Sequence, residues 1–201
     1  MNWQAPFYDA GCALVGLGRK FRAATLRQAA LAPGERVLDV GCGSGVLACL
    51  AAAAVGPSGF AIGIDPAPKM IRVARASAAR AGSRAEFQVG VIERLPFEDA
   101  RFDLVLSSLM LHHLPPELKR EGLREVYRVL RPGGRLLAVD FDRPEHPLWW
   151  ALLWPWLTVP MIADNLRGRI PEYLERAGFR PVQATGRWFG VLTFWLALKP
   201  G

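Results

Sequence analysis

Val37-Leu38-Asp39-Val40-Gly41-Cys42-Gly43-Ser44-Gly45 decides how this chain folds. Branched apolar residues around an acid read as a buried strand. Three glycines at alternate positions follow, and Val46-Leu47-Ala48-Cys49-Leu50 reads as the start of a helix. A strand that turns into a helix through glycines leaves bare backbone and free N–H groups at the helix start. Together they cradle a nucleotide-like ligand. The run is G-x-G-x-G, one residue tighter than the G-x-G-x-x-G of dinucleotide sites. A structural tight turn is the competing reading.

Working outward, Gly59 to Ile64 reads as a second strand ending in Asp65, twenty positions after Gly45. That is where nucleotide-binding folds place an acid. A carboxylate there can accept hydrogen bonds from neighbouring ribose hydroxyls. It can also cap the helix that follows Pro66, and the two roles are compatible. Residues 85–89, 102–108 and 135–141 read as further strands, with 181–186 and 191–198 as the last two. Helices are expected over 46–55, from Pro66 to about 81, over 115–130 and over 170–177. One or two helices before residue 33 are expected to lie over the carboxyl edge of the sheet. Strands alternating with helices predict an α/β fold.

At Asp39, Gly41, Gly43 and Gly45 the chain resembles the class I S-adenosylmethionine-dependent methyltransferases, whose first motif is D-x-G-x-G-x-G. Phe102-Asp103, Leu111-His112-His113-Leu114 and Val129-Leu130-Arg131-Pro132-Gly133-Gly134 repeat further family signatures in order, so the likeness covers about residues 33–198. The resemblance implies a Rossmann-like, doubly wound, seven-stranded sheet, mostly parallel, with the last strand antiparallel and inserted. It implies S-adenosyl-L-methionine as methyl donor and S-adenosyl-L-homocysteine as product. The order of signatures looks most like the ubiquinone/menaquinone-biosynthesis type. That points to a small, apolar, aromatic or lipid-like acceptor. One domain over 1–201 is expected, with 1–32 as a helical cap and 144–169 as an apolar insertion over the acceptor.

The family's site residues carry over position by position. Asp39, Gly41, Cys42 and Gly43 form the first motif, with Cys42 a small spacer rather than a nucleophile. Asp65 and Pro66 open the second motif, in which Met70 either packs on adenine or fills core. Tyr8, beside Asp9, touches the donor or packs the cap. Family members often carry an acid after the third strand's glycine, where this chain has Val91. Backbone atoms of Val91 and Ile92 are then left to line the adenine edge. The Ser107 carbonyl is expected to hold the methionine amino group. His112 or His113 acts as a base or is structural. Asp140 and Asp142, at the active-site end of a strand, orient a nucleophile, bind a cationic acceptor or are merely solvated.

Composition narrows the partners. Of 201 residues, 51% are hydrophobic, enough for a large core and against wholesale disorder. The net charge of +7 suits nucleic acid or an anionic membrane surface. It equally suits the arginine usage of a GC-rich genome, and the basic residues form no dense block. Cys12, Cys42 and Cys49 make no C-x-x-C pair, so no metal site is expected. An odd cysteine count without a signal segment points to the cytoplasm. The uncharged run 147–163 holds Trp149, Trp150, Trp154 and Trp156. Pro155 and Pro160 break it, and it is short for a membrane span. It suits a pocket wall, a peripheral contact with the inner membrane face, a subunit contact in a homodimer, or a buried packing helix. Two other functions stay open: an RNA or other nucleic-acid methyltransferase, and a non-catalytic protein that keeps the donor site. The first lacks an N-P-P-Y motif and a basic stripe.

Overall fold

The computed structural model describes residues 16–201. Tyr8 and the other expectations for residues 1–15 lie outside the described residues. Seven strands form one sheet: β1 Arg36–Val40, β2 Phe60–Asp65, β3 Glu86–Val89, β4 Phe102–Ser108, β5 Leu130–Phe141, β6 Val182–Trp188 and β7 Leu192–Leu198. Their spatial order is β3-β2-β1-β4-β5-β7-β6. Strands β1 to β5 are mutually parallel, and β7 runs antiparallel between β5 and β6. This is the expected doubly wound sheet with its inserted last strand.

The helices are α1 Arg19–Ala29, α2 Val46–Val55, α3 Pro68–Ala81, α4 Pro116–Val129, α5 Pro147–Leu153, α6 Pro160–Leu166 and α7 Ile170–Arg176. They cover the sheet on both sides, so its central strands are apolar throughout rather than alternating with polar residues. Successive side chains point to opposite faces. Val37, Leu104, Leu106, Leu137 and Val139 therefore join one core with α2 and α3. Leu38, Val40, Val105, Leu136 and Ala138 join the other with α4 and α7. The alternation also sorts the polar residues that matter. Asp39 shares the face of Val37, while Asp140 shares the face of Leu136 and Ala138.

Helix α1 packs on β5, β6 and β7, where Phe21 meets Trp188 and Phe194 at ring separations of 5.6 and 5.9 Å, and its first turn, at Phe21 and Arg22, reaches the glycine loop at the carboxyl end of β1. One sequence expectation is corrected. Strand β5 starts at Leu130 rather than Arg135, because Leu130 pairs with Phe102 before Pro132-Gly133-Gly134 bulges out and pairing resumes at Arg135. The Phe-Asp signature of β4 is structural: Asp103 accepts from the Arg36 backbone N–H at 2.7 Å and pairs with Arg36 and Arg131.

Candidate active site

The carboxyl ends of β1, β2, β3 and β4 open onto a cleft of about 620 Å³. Gly41 and Gly43 line it after β1, Asp65, Pro66 and Met70 after β2, Val91 and Ile92 after β3, and Ser108, Leu109 and Met110 after β4. His113, Leu114 and Leu118 complete its outer wall. A smaller hollow of about 60 Å³ lies behind the glycine loop, between Asp39, Cys42 and Ser44 and the first turn of α1. Gly41, Gly43, Ser108 and Leu109 line both.

Asp65 faces the glycine loop. One oxygen accepts from the Gly43 N–H at 3.1 Å, the other from the Ala67 N–H at 2.9 Å. The second bond forms a turn two residues long, and Ala67, not Asp65, takes the N-cap of α3. Each oxygen accepts one of these bonds and has capacity for another, and Asp65 lines the cleft. The loop itself depends on glycine geometry. Gly45 has φ +78°, and a Cβ there would sit 2.6 Å from the Phe87 ring. Gly41 has φ +72°, and a Cβ would sit 2.3 Å from Cγ of Met110, whose side chain rests over it. Leu109, just before, holds φ +55°, a conformation that costs a non-glycine residue about 1–3 kcal/mol. Its N–H bond to the Val139 carbonyl, 2.8 Å, locks that bend onto β5.

Asp39 is buried at 1% exposure, and its Oδ2 has no hydrogen-bond partner among the described residues. Burial, helped by the nearby Asp65 charge and opposed by a backbone hydrogen bond from Ala48, pushes its pKa up to about 7. An orphaned carboxylate beside the smaller hollow fits a cationic group there. The bare glycine backbone and Asp65 fit a ribose and its substituents. The residues present therefore match an aminoacyl-nucleoside donor. Burial, with Asp39 and Asp65 close by, drives the Cys42 thiol far above the ordinary range, which removes it as a nucleophile at neutral pH.

Ser107 is not among the residues lining either hollow; its side chain falls on the face of Val105, buried at 2%, and its Oγ has no partner among the described residues. Ser108, on the opposite face, lines both hollows instead. Glu93, two residues beyond Val91, lines the cleft, as does Lys69. No motif had singled out either. Leu114 closes the Leu111-His112-His113-Leu114 signature, whereas no pattern had singled out Leu118 in the first turn of α4.

Of the three candidate catalytic residues, only His113 reaches the cleft. Burial and the neighbouring His112 lower its pKa below the ordinary imidazole value, against the pull of Asp140. The His112 ring lies 4.0 Å from that of His113 and edge-on to Phe141 at 5.0 Å. Its Nδ1 is 2.7 Å from Oδ1 of Asp140, which is 1% exposed. Asp142 is tied to Thr193 Oγ1 at 2.7 Å and does not line either hollow.

Among the described residues, none from 144–169 is among those lining the cleft. The segment divides in two: α5 has no buried residue, whereas α6 buries Ala163, Asp164, Asn165 and Leu166. Trp149 and Leu153 pack against the core, while Leu148, Leu152, Trp154 and Trp156 face outward, Trp154 at 64% exposure. The indole N–H groups of Trp149 and Trp150 are bonded to the carbonyls of Phe189 and Pro144. No helix among the described residues is long and apolar enough to cross a membrane.

Comparison with known proteins agrees with this geometry. A family model described as a methyltransferase domain matches residues 37–134. A demethylmenaquinone methyltransferase of Lactiplantibacillus plantarum is 33% identical over 84% of this chain and 73% of that protein. An arsenite methyltransferase of Halobacterium salinarum is 45% identical over 56% of this chain, which spans only 28% of its length. The crystal structure of a SAM-dependent methyltransferase from Aquifex aeolicus has the same fold, with TM-score 0.71, 22% identity and 88% of each chain covered. The chain belongs to the class I S-adenosylmethionine-dependent methyltransferases and resembles the quinone-methylating members. It is an enzyme, with S-adenosylmethionine as cofactor and S-adenosylhomocysteine as product.

Proposed function

We propose that this enzyme methylates an apolar, quinone-like aromatic acceptor. The observation that carries the reading is the outer wall of the cleft. There Met110, Leu114 and Leu118 stand beside His113, in the same space as Asp65 and Gly41. A flat apolar ring suits that wall, and a demethylmenaquinone methyltransferase is among the relatives.

When bound, the donor supplies an electrophilic methyl on a sulfonium. The chain's part is binding and alignment. Asp65 accepts from the ribose hydroxyls while it braces Gly43. Asp39 pairs with the donor's ammonium from behind the loop. Pro66 and Met70 pack on one side of the adenine, with the Val91 and Ile92 backbone along its edge. The Leu109 bend and the Met110 side chain shape the place where the two substrates meet. Good alignment of this kind contributes up to about 7–11 kcal/mol in intramolecular models. His113, kept neutral by its lowered pKa, takes a proton from the acceptor.

The archaeal relative's name raises arsenite as an acceptor, a soft centre that wants thiolates. Among the described residues no three His, Cys, Asp or Glu side chains gather as a soft or metal-like site, and the Cys42 thiol is buried. We therefore favour the ring acceptor. Such a compound partitions into lipid, and the outward tryptophans with a net charge of +7 suit contact with an anionic membrane surface. The test is transfer of labelled methyl to a demethylated quinone held in its reduced quinol form, whose electron-rich ring can attack the methyl and release a proton, presented in detergent. Donor binding without transfer to any such ring overturns the acceptor reading.

A further inference from the structure

Lys119 lies on α4, is 1% exposed, and lines neither hollow. Its Nζ donates to the Met161 carbonyl and to Oδ1 of Asn165, both at 2.6 Å. Asn165, on α6, is wholly buried, and its Nδ2 donates to Oδ1 of Asp140 at 3.3 Å. The same Asp140 oxygen accepts the Phe141 N–H at 2.7 Å and faces His112 Nδ1 at 2.7 Å. Oδ2 accepts the His112 backbone N–H at 3.3 Å. A continuous polar chain thus runs from the exposed insertion to the histidine turn.

The bond directions follow from the donor-only ammonium at one end and the carboxylate in the middle. A lysine ammonium only donates, so Asn165 must turn its carbonyl oxygen toward Lys119. The amide NH₂ then has to face Asp140. An ionised carboxylate only accepts, so the hydrogen between Asp140 and His112 must sit on His112 Nδ1. In the neutral ring that leaves Nε2 without a hydrogen, and the ring stands 4.0 Å from that of His113.

We propose that Lys119 and Asn165 are positioning residues that act through Asp140. They fix His112 in its Nδ1–H form and thereby hold the His113 ring against the cleft. The proposal rests on the reading of His113 as the group facing the acceptor, but its test needs no acceptor. The turn is also tied through the Met161 carbonyl to the segment that carries the outward tryptophans.

The chain has three histidines, which makes ring-nitrogen spectroscopy on histidine-labelled protein tractable. His146 is an internal reference, because its Nδ1 accepts the Leu148 N–H at 3.2 Å and so must be bare. At neutral pH the native protein should show His112 protonated at Nδ1 and His146 at Nε2, opposite patterns. In Lys119→Met and Asn165→Leu the two His112 nitrogen shifts should move toward each other as the forms mix, and the His113 resonances should shift. Lys119→Arg, another pure donor, should keep the native pattern. S-Adenosylhomocysteine affinity, expected to stay within about twofold, certifies the fold of each variant. His112 protonated at Nε2 in the native protein overturns the proposal. So do unmoved His112 and His113 signals in the folded Met and Leu variants. Should those two fail to bind S-adenosylhomocysteine, the native pattern together with its retention or loss in Lys119→Arg decides. Failure of methyl transfer to the reduced quinol with these spectra as expected counts against the acceptor reading alone.

Discussion

Strands β1 to β4 meet the cleft with the residues at their carboxyl ends, whereas β5 touches its histidine turn through the buried Asp140, and β6 and β7 contribute no lining residue. On the first side, Gly41, Gly43, Asp65, Val91 and Ser108 all touch the space where the donor fits. On the second, Asp140 acts from behind His112, and the insertion turns its tryptophans outward. A group common to a whole family is held by backbone shape, which tolerates little change. A group that differs from one member to the next is approached by side chains hung on a second layer, which can be exchanged without disturbing the first.

The largest expected effect tests the first side. Asp65→Ala removes charge-assisted bonds worth about 1.5–3 kcal/mol each, so calorimetric affinity for S-adenosylmethionine should fall about 100-fold or more. Unchanged affinity would break the contrast at its root. A pH series comes next. If the donor's ammonium pairs only with ionised Asp39, whose pKa is raised to about 7, protons compete with the ligand below that pH. S-Adenosylhomocysteine affinity should then fall by up to tenfold per pH unit from about 7 downward and level off above, with a flat profile in Asp39→Asn.

A smaller effect is expected from Gly41→Ala, which places a Cβ against Met110 in a backbone that disfavours side chains. It should cost about 1–3 kcal/mol. Each kcal/mol lowers the melting temperature by about 2–4 °C in a chain of this size. Met110→Ala in the same protein should recover part of the loss, and no recovery would remove Met110 as the obstacle. The mildest change is Trp154→Ser with Trp156→Ser. Stability should move by no more than about 0.5 kcal/mol and donor affinity not at all. Co-sedimentation with anionic vesicles should drop severalfold. Undiminished vesicle binding would assign the membrane contact to another surface.

The sequence made the donor side legible because backbone constraints leave marks on composition. Positive φ and close approach demand Gly41 and Gly45, and a strand end over a sugar demands an acid such as Asp65. The succession of strands along the chain was readable from the apolar runs, whereas their order in the sheet came from the family resemblance. What escaped were features set by facing direction. Ser107 and Ser108 differ by one position, and only the register of β4 against β1 shows which faces the loop. Lys119 looks like a solvated residue of an amphipathic helix until α6 covers it. Asn165 belongs to no pattern. The uncharged run 147–163 announces an apolar surface, but nothing in its spacing says whether that surface looks inward or outward.

The place of β7 has a consequence for assembly on the ribosome. This strand comes last of the seven yet lies between β5 and β6, pairing residue by residue from Arg135↔Leu198 to Phe141↔Leu192. Until it emerges, β6 has no neighbour and β5 presents an open edge, so Asp140 and its histidine turn lean on an unfinished wall. Nascent chains arrested before Leu192 should expose that edge to chaperones, and protease resistance should arrive in one late step once Leu198 has cleared the exit tunnel.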